Sequence, residues 1–99
     1  MAKKIIIYWR DIPSQVLAQR GRKRRKVPLS DRFQEAIDRA AMRAGKGSSD
    51  AYLAEWRREA STCEGGDLQA IAENEAQRIE GEYSNERLME LIRGHGAAD

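Results

Sequence analysis

The longest uninterrupted apolar stretch of the chain is the run from Ile5 to Trp9. Three of its residues are β-branched and two are aromatic, a composition that is typical of strands. The run is too short for a helix, and it is apolar on both faces. It therefore predicts a central strand of a β-sheet.

The segments that follow predict an antiparallel meander. Ser14–Gln19 is a candidate second strand, and Gly21 supplies a turn residue that is free to adopt a positive φ. Arg24–Leu29 is then a returning strand. Pro28 cannot donate a backbone hydrogen bond to a neighbour, which places this strand at a sheet edge or at its exit. Residues 3–29 are thus expected to form a small antiparallel sheet.

Helical periodicity dominates the rest of the chain. Apolar residues at helical spacing predict a helix over residues 31–44, whose small Ala side chains permit close packing on the sheet. Further helices are predicted for about three turns from Tyr52 to Ala60, for Leu68–Tyr83, and for a short segment around Leu88–Ile92. The expected class is α+β, with a small antiparallel β-meander packed against an α-helix and further α-helices following.

Composition limits the size of the core. The chain has 99 residues, which suits one domain, and Leu, Ile, Val and Phe together number only 17, against 14 Ala. We expect a single domain over residues 1–94 with a thin core that a partner could complete. Residues 95–99 are expected to form a frayed tail.

Charge is distributed unevenly along the chain. Residues 1–30 sum to +8, residues 31–62 sum to zero, and residues 63–99 sum to −6. Such asymmetry has three explanations: binding to nucleic acid, binding to an acidic partner surface, or contact between the two ends of the same chain. Sequence alone leaves all three open.

The strongest local feature is a run of six cations within the seven residues 20–26. These side chains could contact phosphates or an acidic partner, or they could be a solvated hairpin tip that prevents edge-to-edge pairing. No aromatic residue alternates with them, so a site that stacks the bases of a single strand is unsupported. The candidate partner-binding cations are Arg20, Arg22, Lys23, Arg24, Arg25 and Lys26.

Two aromatic positions are further candidates for partner binding. Trp9, Arg10 and Asp11 could form a recognition edge, although Trp9 equally suits the core and Arg10 could pair with Asp11 on the surface. Trp56 lies on the apolar stripe of the predicted second helix, where it could pack in the core or meet a partner.

The sequence contains no recognisable catalytic, cofactor or metal site. His95 and Cys63 are the only residues of their types, and neither has a spacing partner for catalysis or metal binding. No apolar run approaches the length of a membrane span, and the start is too short for a secretory signal. We therefore expect a cytoplasmic protein that is not an enzyme and binds neither cofactor nor metal.

Three stretches of the chain match a known family: Tyr8–Pro13 with Val16, Val27–Arg43, and Ala51–Arg57. Over about residues 4–58 the sequence resembles the small bacterial virulence factor domain family, and the third predicted helix resembles it weakly. The resemblance implies no established catalytic residues. It does imply an accessory role beside folate- or corrinoid-linked methyl transfer.

Two functions remain open at this point. The first is a non-enzymatic accessory protein that docks on a protein partner or forms a homo-oligomer. The second is a nucleic-acid-binding module that uses the basic hairpin of residues 20–26.

Overall fold

A computed structural model describes residues 2–45 and 49–97 of the chain, and it confirms the α+β class. Strands form the first third and helices dominate the remainder, as the sequence predicts. The elements are β1 (Ala2–Trp9), β2 (Ile12–Arg20), β3 (Lys23–Pro28), α1 (Asp31–Arg43), α2 (Ser49–Leu53), β4 (Trp56–Cys63), α3 (Leu68–Glu82) and α4 (Asn85–Arg93).

The four strands form one antiparallel sheet in the order β3-β2-β1-β4. β1 is central, as its two apolar faces predict. Gly21 has a φ of 60° in the β2–β3 turn, and Pro28 ends the edge strand β3, so both positions match their predictions. The β1–β2 register shifts between Ile7 and Tyr8, and Pro13 lies within β2 instead of separating two strands.

The predicted helix from Tyr52 to Ala60 is wrong. α2 ends at Leu53, and the chain then extends into β4, which pairs along the whole of β1. The pairing places Trp56 opposite Trp9. Tertiary pairing overrides the local helical spacing here, because β1 is apolar on both faces and suits a central position, and β4 supplies the second neighbour that a three-stranded meander lacks.

The main core lies between the sheet and the helices. α3 packs on β2 and β3 and reaches β1, while α1 packs on β2 and α4. The sheet is thus covered more by α3 than by the 31–44 helix that the sequence favours for this position. Glu80 of α3 also accepts hydrogen bonds from the backbone and side chain of Ser30, at 2.7 and 2.9 Å, which ties α3 to the start of α1.

Alternation along the strands gives the sheet two different faces. Lys4 and Ile6 lie on the face that packs against α3, and we call this the helix face. Their neighbours Ile5 and Ile7 lie on the opposite side, and the register places Leu17 there as well. Ile5 and Leu17 are buried but do not belong to the core cluster that the helices share. We call this side the outer face.

Candidate interaction surface

The basic run of residues 20–26 does not act as one cluster, because strand alternation divides it. Arg24 pairs with Gln19 and Lys26 pairs with Leu17, so both cations lie on the outer face. Lys23 and Arg25 have the opposite parity and lie on the helix face together with Arg20, the cross-strand partner of Lys23. Arg22 lies in the turn between the two strands.

The cations on the helix face stand beside the beginning of α3. Arg20, Lys23 and Arg25 line a cavity of about 150 Å³ together with Asp67 and Leu68. Arg20 Nη1 also donates to the carbonyl of Gly66, at 3.1 Å. This half of the basic run therefore lies beside the acidic C-terminal third of its own chain. Such an arrangement agrees with the third explanation of the charge asymmetry, contact between the two ends of the same chain.

The outer face carries four cations and, among its described strand positions, no acid. Lys3 and Arg24 flank Gln19, Lys26 lies opposite Leu17, and Arg58 lies opposite Ile7. All four cations are exposed, and none makes an ion pair within residues 2–45 and 49–97. We call this set, with its apolar centre, the outer basic face: Lys3, Ile5, Ile7, Leu17, Arg24, Lys26 and Arg58.

Lys3 and Arg58 belong to this surface but are not among the candidate residues predicted from the sequence. Lys3 lies 17 positions before the start of the basic run, and Arg58 lies in the segment that was predicted to be helical. The register of β4 is the signal that would have found Arg58, because it places that residue opposite Ile7 on β1.

Trp9 occupies a structural position. Its side chain is fully buried, its ring stacks on Tyr52 at a centroid distance of 5.9 Å, and its Nε1 donates to the Tyr52 carbonyl at 2.9 Å. Trp56 is half-buried and meets the edge of the Tyr52 ring at 5.7 Å. Trp9 therefore has no surface to offer a partner, whereas Trp56 keeps some, beside Arg58 at one end of the outer face.

Arg10 and Asp11 hold the end of the β1–β2 hairpin together. Arg10 adopts a positive φ of 54°, and its Nε lies 3.3 Å from Glu55 Oε2. Asp11 Oδ1 accepts from Arg57 Nη2 at 3.0 Å. The Arg57 side chain also lies over the ring of Tyr8, 4.4 Å from its centroid. These contacts give both residues a role in fixing the local backbone.

Residues 95–97 lie against this hairpin end, although the sequence predicts that they belong to a frayed tail. The Gly96 carbonyl accepts from the backbone N–H of Asp11 at 2.8 Å, and Arg10 Nη1 donates to the His95 carbonyl at 2.9 Å. Gly96 has a φ of 89°, and a Cβ there would lie 2.7 Å from the Trp9 ring. Residues 98 and 99 lie outside the described residues.

A polar cleft of about 320 Å³ lies on the helix face between α3 and β4. At its base, the buried Glu75 accepts from Arg78 at 2.6 and 2.9 Å and from Lys4 at 3.3 Å. The hydrogen bonds from Arg78, supported by Lys4, lower the pKa of Glu75 although burial opposes them. Burial raises the pKa of Tyr8, which also lines the cleft. Both pKa values thus move away from neutrality.

The described part of the chain contains neither a metal-binding group nor a membrane-spanning helix. No three His, Cys, Asp or Glu side chains among these residues form a group that could hold a metal ion. No described helix has both the length and the apolar character that crossing a membrane requires.

Comparison with known proteins identifies the family. The sequence model described as "Virulence factor" matches residues 7–92, which include all but the first five residues of the sheet and all four helices except Arg93, the last residue of α4. The chain belongs to the virulence factor family. The family match extends well past residues 4–58, the region in which the sequence resemblance is most evident. No curated protein and no solved structure matches the chain.

Proposed function

We propose that this virulence factor family protein is a non-enzymatic accessory protein that docks on a protein partner through its outer basic face. One observation carries the proposal: four exposed cations, none of which makes an ion pair among the described residues, surround the half-buried Ile7 and the buried Ile5 and Leu17 on the outer face. The partner that fits this surface is acidic, with an apolar contact at the half-buried Ile7.

Interfaces between proteins share a common layout. Their centres are apolar and their rims are polar, and complementary charges on the rim steer association and set the register. The outer basic face has this layout on one side of the sheet. On the helix face, Lys4 and Arg57 are already paired with acids, whereas Arg20, Lys23 and Arg25 line a cavity beside α3.

The polar cleft supports the non-enzymatic part of the proposal. A general acid or base works best when its pKa lies near the operating pH. The pKa of Glu75 is lowered and that of Tyr8 is raised, so neither group is poised to exchange a proton near neutrality. The Lys4–Glu75–Arg78 arrangement instead links β1 to α3.

A charge-reversal experiment tests the docking surface. The face variant carries Arg24→Glu, Lys26→Glu and Arg58→Glu, and the matched control carries Arg39→Glu, Arg43→Glu and Arg93→Glu at exposed helical positions. Both variants change the net charge by the same amount. We expect affinity purification to recover a stoichiometric protein partner with the wild type and the control, but not with the face variant.

Equal loss of the partner from both variants would contradict the proposal, since it would indicate a response to net charge alone. Equal retention by both would also contradict it. In line with the family resemblance, a cytoplasmic enzyme of folate- or corrinoid-linked one-carbon metabolism is the first partner to test. The purified pair then allows the same variants to be compared by direct titration.

Nucleic acid is the second candidate partner, because the same four cations could neutralise phosphates. Such binding would weaken with salt at a log–log slope of about −4, from roughly 0.9 per phosphate neutralised. The centre of the outer face is aliphatic, so it lacks the aromatic platforms on which bases stack. We therefore expect weak DNA and RNA binding at physiological salt, measurable by fluorescence anisotropy, and a tight sequence-specific complex would promote this candidate.

A further inference from the structure

The two edge strands of the sheet differ in how well they are protected against pairing with a strand of another chain. Edge strand β3 ends in Pro28 and carries a series of cations, both of which oppose pairing with another chain. Edge strand β4 spans eight residues without a proline, and its stretch from Arg58 to Thr62 is exposed. β4 packs principally on β1, and no described helix makes extensive contact with it. The β4 edge is therefore open to a further strand.

The backbone of β4 shows which peptide groups are free. The N–H of Arg10 donates to the carbonyl of Glu55 at 3.1 Å, which makes this a hydrogen-bonded antiparallel pair. Hydrogen-bonded and non-hydrogen-bonded pairs alternate along a ladder. The peptide groups of Arg58, Ala60 and Thr62 therefore point away from β1, toward the open edge.

We propose that two copies of this chain associate by antiparallel pairing of β4 with β4, around a two-fold axis at Ala60. In this register, the outward peptide groups of Ala60 bond to those of its own counterpart, and the groups of Arg58 bond to those of Thr62 in the other copy. The two sheets then form one continuous eight-stranded sheet. The proposal concerns the strand edge and does not depend on the proposed function of the outer face.

Charge selects this register over its neighbours. With the axis at Ala60, Arg58 faces Thr62 and Glu59 faces Ser61, so no like charges lie directly opposite each other. An axis at Glu59 would place that carboxylate opposite its own counterpart, and an axis at Arg58 would do the same with two guanidinium groups. Like charges directly opposite each other destabilise a strand pair.

The length of β4 excludes moving the two-fold axis toward the C-terminal end of the strand. With the axis at Ala60, residues 57–63 of each copy pair within β4, whereas an axis at Ser61 would leave only residues 59–63 paired. The shorter overlap loses hydrogen bonds at both ends. An interface built on one strand edge is small, so we expect a weak dimer whose population rises with protein concentration.

Sedimentation equilibrium tests the pairing through complementary charges at the axis. The apparent molecular mass of the wild type should rise toward twice the monomer mass as its concentration approaches about 1 mM. Ala60→Lys and Ala60→Glu each place like charges directly opposite across the axis, so each variant alone should remain monomeric. An equimolar mixture of the two variants should recover the dimer, because a lysine then faces a glutamate.

Two further variants separate loss of pairing from loss of folding. Ala60→Pro removes an outward N–H without removing a β1–β4 hydrogen bond, so it should give a folded monomer by circular dichroism. Ala70→Lys makes the same charge change at an exposed position on α3 and should remain dimeric. A monomeric wild type at all concentrations, dimeric Ala60→Lys and Ala60→Glu variants, or a mixture that stays monomeric would each overturn the proposal.

Discussion

The two faces of this sheet are built from the same four strands but differ in their ion pairs. Among the described residues, three helix-face cations near the β2–β3 turn, Arg20, Lys23 and Arg25, make no ion pair, but two others do. On the helix face, Lys4 pairs with the buried Glu75, and Arg57 pairs with both Asp11 and Glu59. On the outer face, Lys3 and Arg58 are exposed and make no ion pair within the described residues. The positive charge of the sheet is thus divided: part of it stabilises the fold, and part remains available for recognition.

The largest expected difference between the faces is in apolar packing. Ile79 of α3 is 2% exposed and lies in the core on the helix face, whereas Ile7 is half-buried on the outer face. We expect Ile79→Ala to lower the free energy of unfolding by about 2–5 kcal/mol, because it leaves a cavity. Ile7→Ala should cost less than about 1.5 kcal/mol, since less apolar surface returns to water. Urea denaturation measures both values.

Equal losses of unfolding free energy for Ile79→Ala and Ile7→Ala would contradict the difference in packing between the two faces. They would mean that something covers the outer face as completely as α3 covers the helix face. A homodimer that buried Ile7 would make its cost depend on protein concentration, so the measurement is repeated at two concentrations.

A smaller effect is expected from the ion pairs on the helix face. Glu75→Gln removes the charge that holds Lys4 and Arg78, and we expect a loss of about 1–3 kcal/mol near neutral pH. The folded-state pKa of Glu75 is lowered, so its stabilisation is fully present above the unfolded pKa of about 4.3 and is lost as the pH falls through the folded value. The gap in stability between wild type and variant should therefore close in acid.

Glu73 provides the matched control for that prediction. It lies on the same helix but is exposed, and its carboxylate accepts from Gln69 on its own helix at 2.8 Å. Glu73→Gln should change stability by less than about 0.5 kcal/mol at any pH. A pH-independent cost for Glu75→Gln would show that shape, and not charge, accounts for its contribution.

Much of the fold could be predicted because its local signals agree with its tertiary structure. The apolar run from Ile5 to Trp9, the turn at Gly21 and the periodicity of α1, α3 and α4 all predict what the structure contains. β4 could not be predicted from its own residues, because Trp56 and Ala60 also match a helical stripe. A signal did exist elsewhere: a three-stranded meander leaves β1 at an edge, whereas its two apolar faces indicate a central strand.

The candidate surface was less predictable than the fold. Contiguous cations are easy to find in a sequence, but a strand sends alternate side chains to opposite faces. Lys23 and Arg25 thus separate from Arg24 and Lys26, while Lys3 joins the latter pair from a distant point in the chain. Such a surface depends on register, which is a tertiary property that composition does not contain.

The smallest expected effect concerns the outer cations themselves. Lys3→Gln and Arg58→Gln should each change the free energy of unfolding by less than about 0.5 kcal/mol, because exposed side chains without partners contribute little. Any change should be stabilising and should shrink with added salt, since these cations repel one another and exposed charges are screened over about 10 Å at 0.1 M ionic strength. On the helix face, Arg78→Gln should instead destabilise the fold, because Glu75 loses its main partner. Denaturation at low and high salt measures these changes. A clear loss of stability from Lys3→Gln or Arg58→Gln would mean that the outer cations serve the fold, and the division of charge between the two faces would then fail.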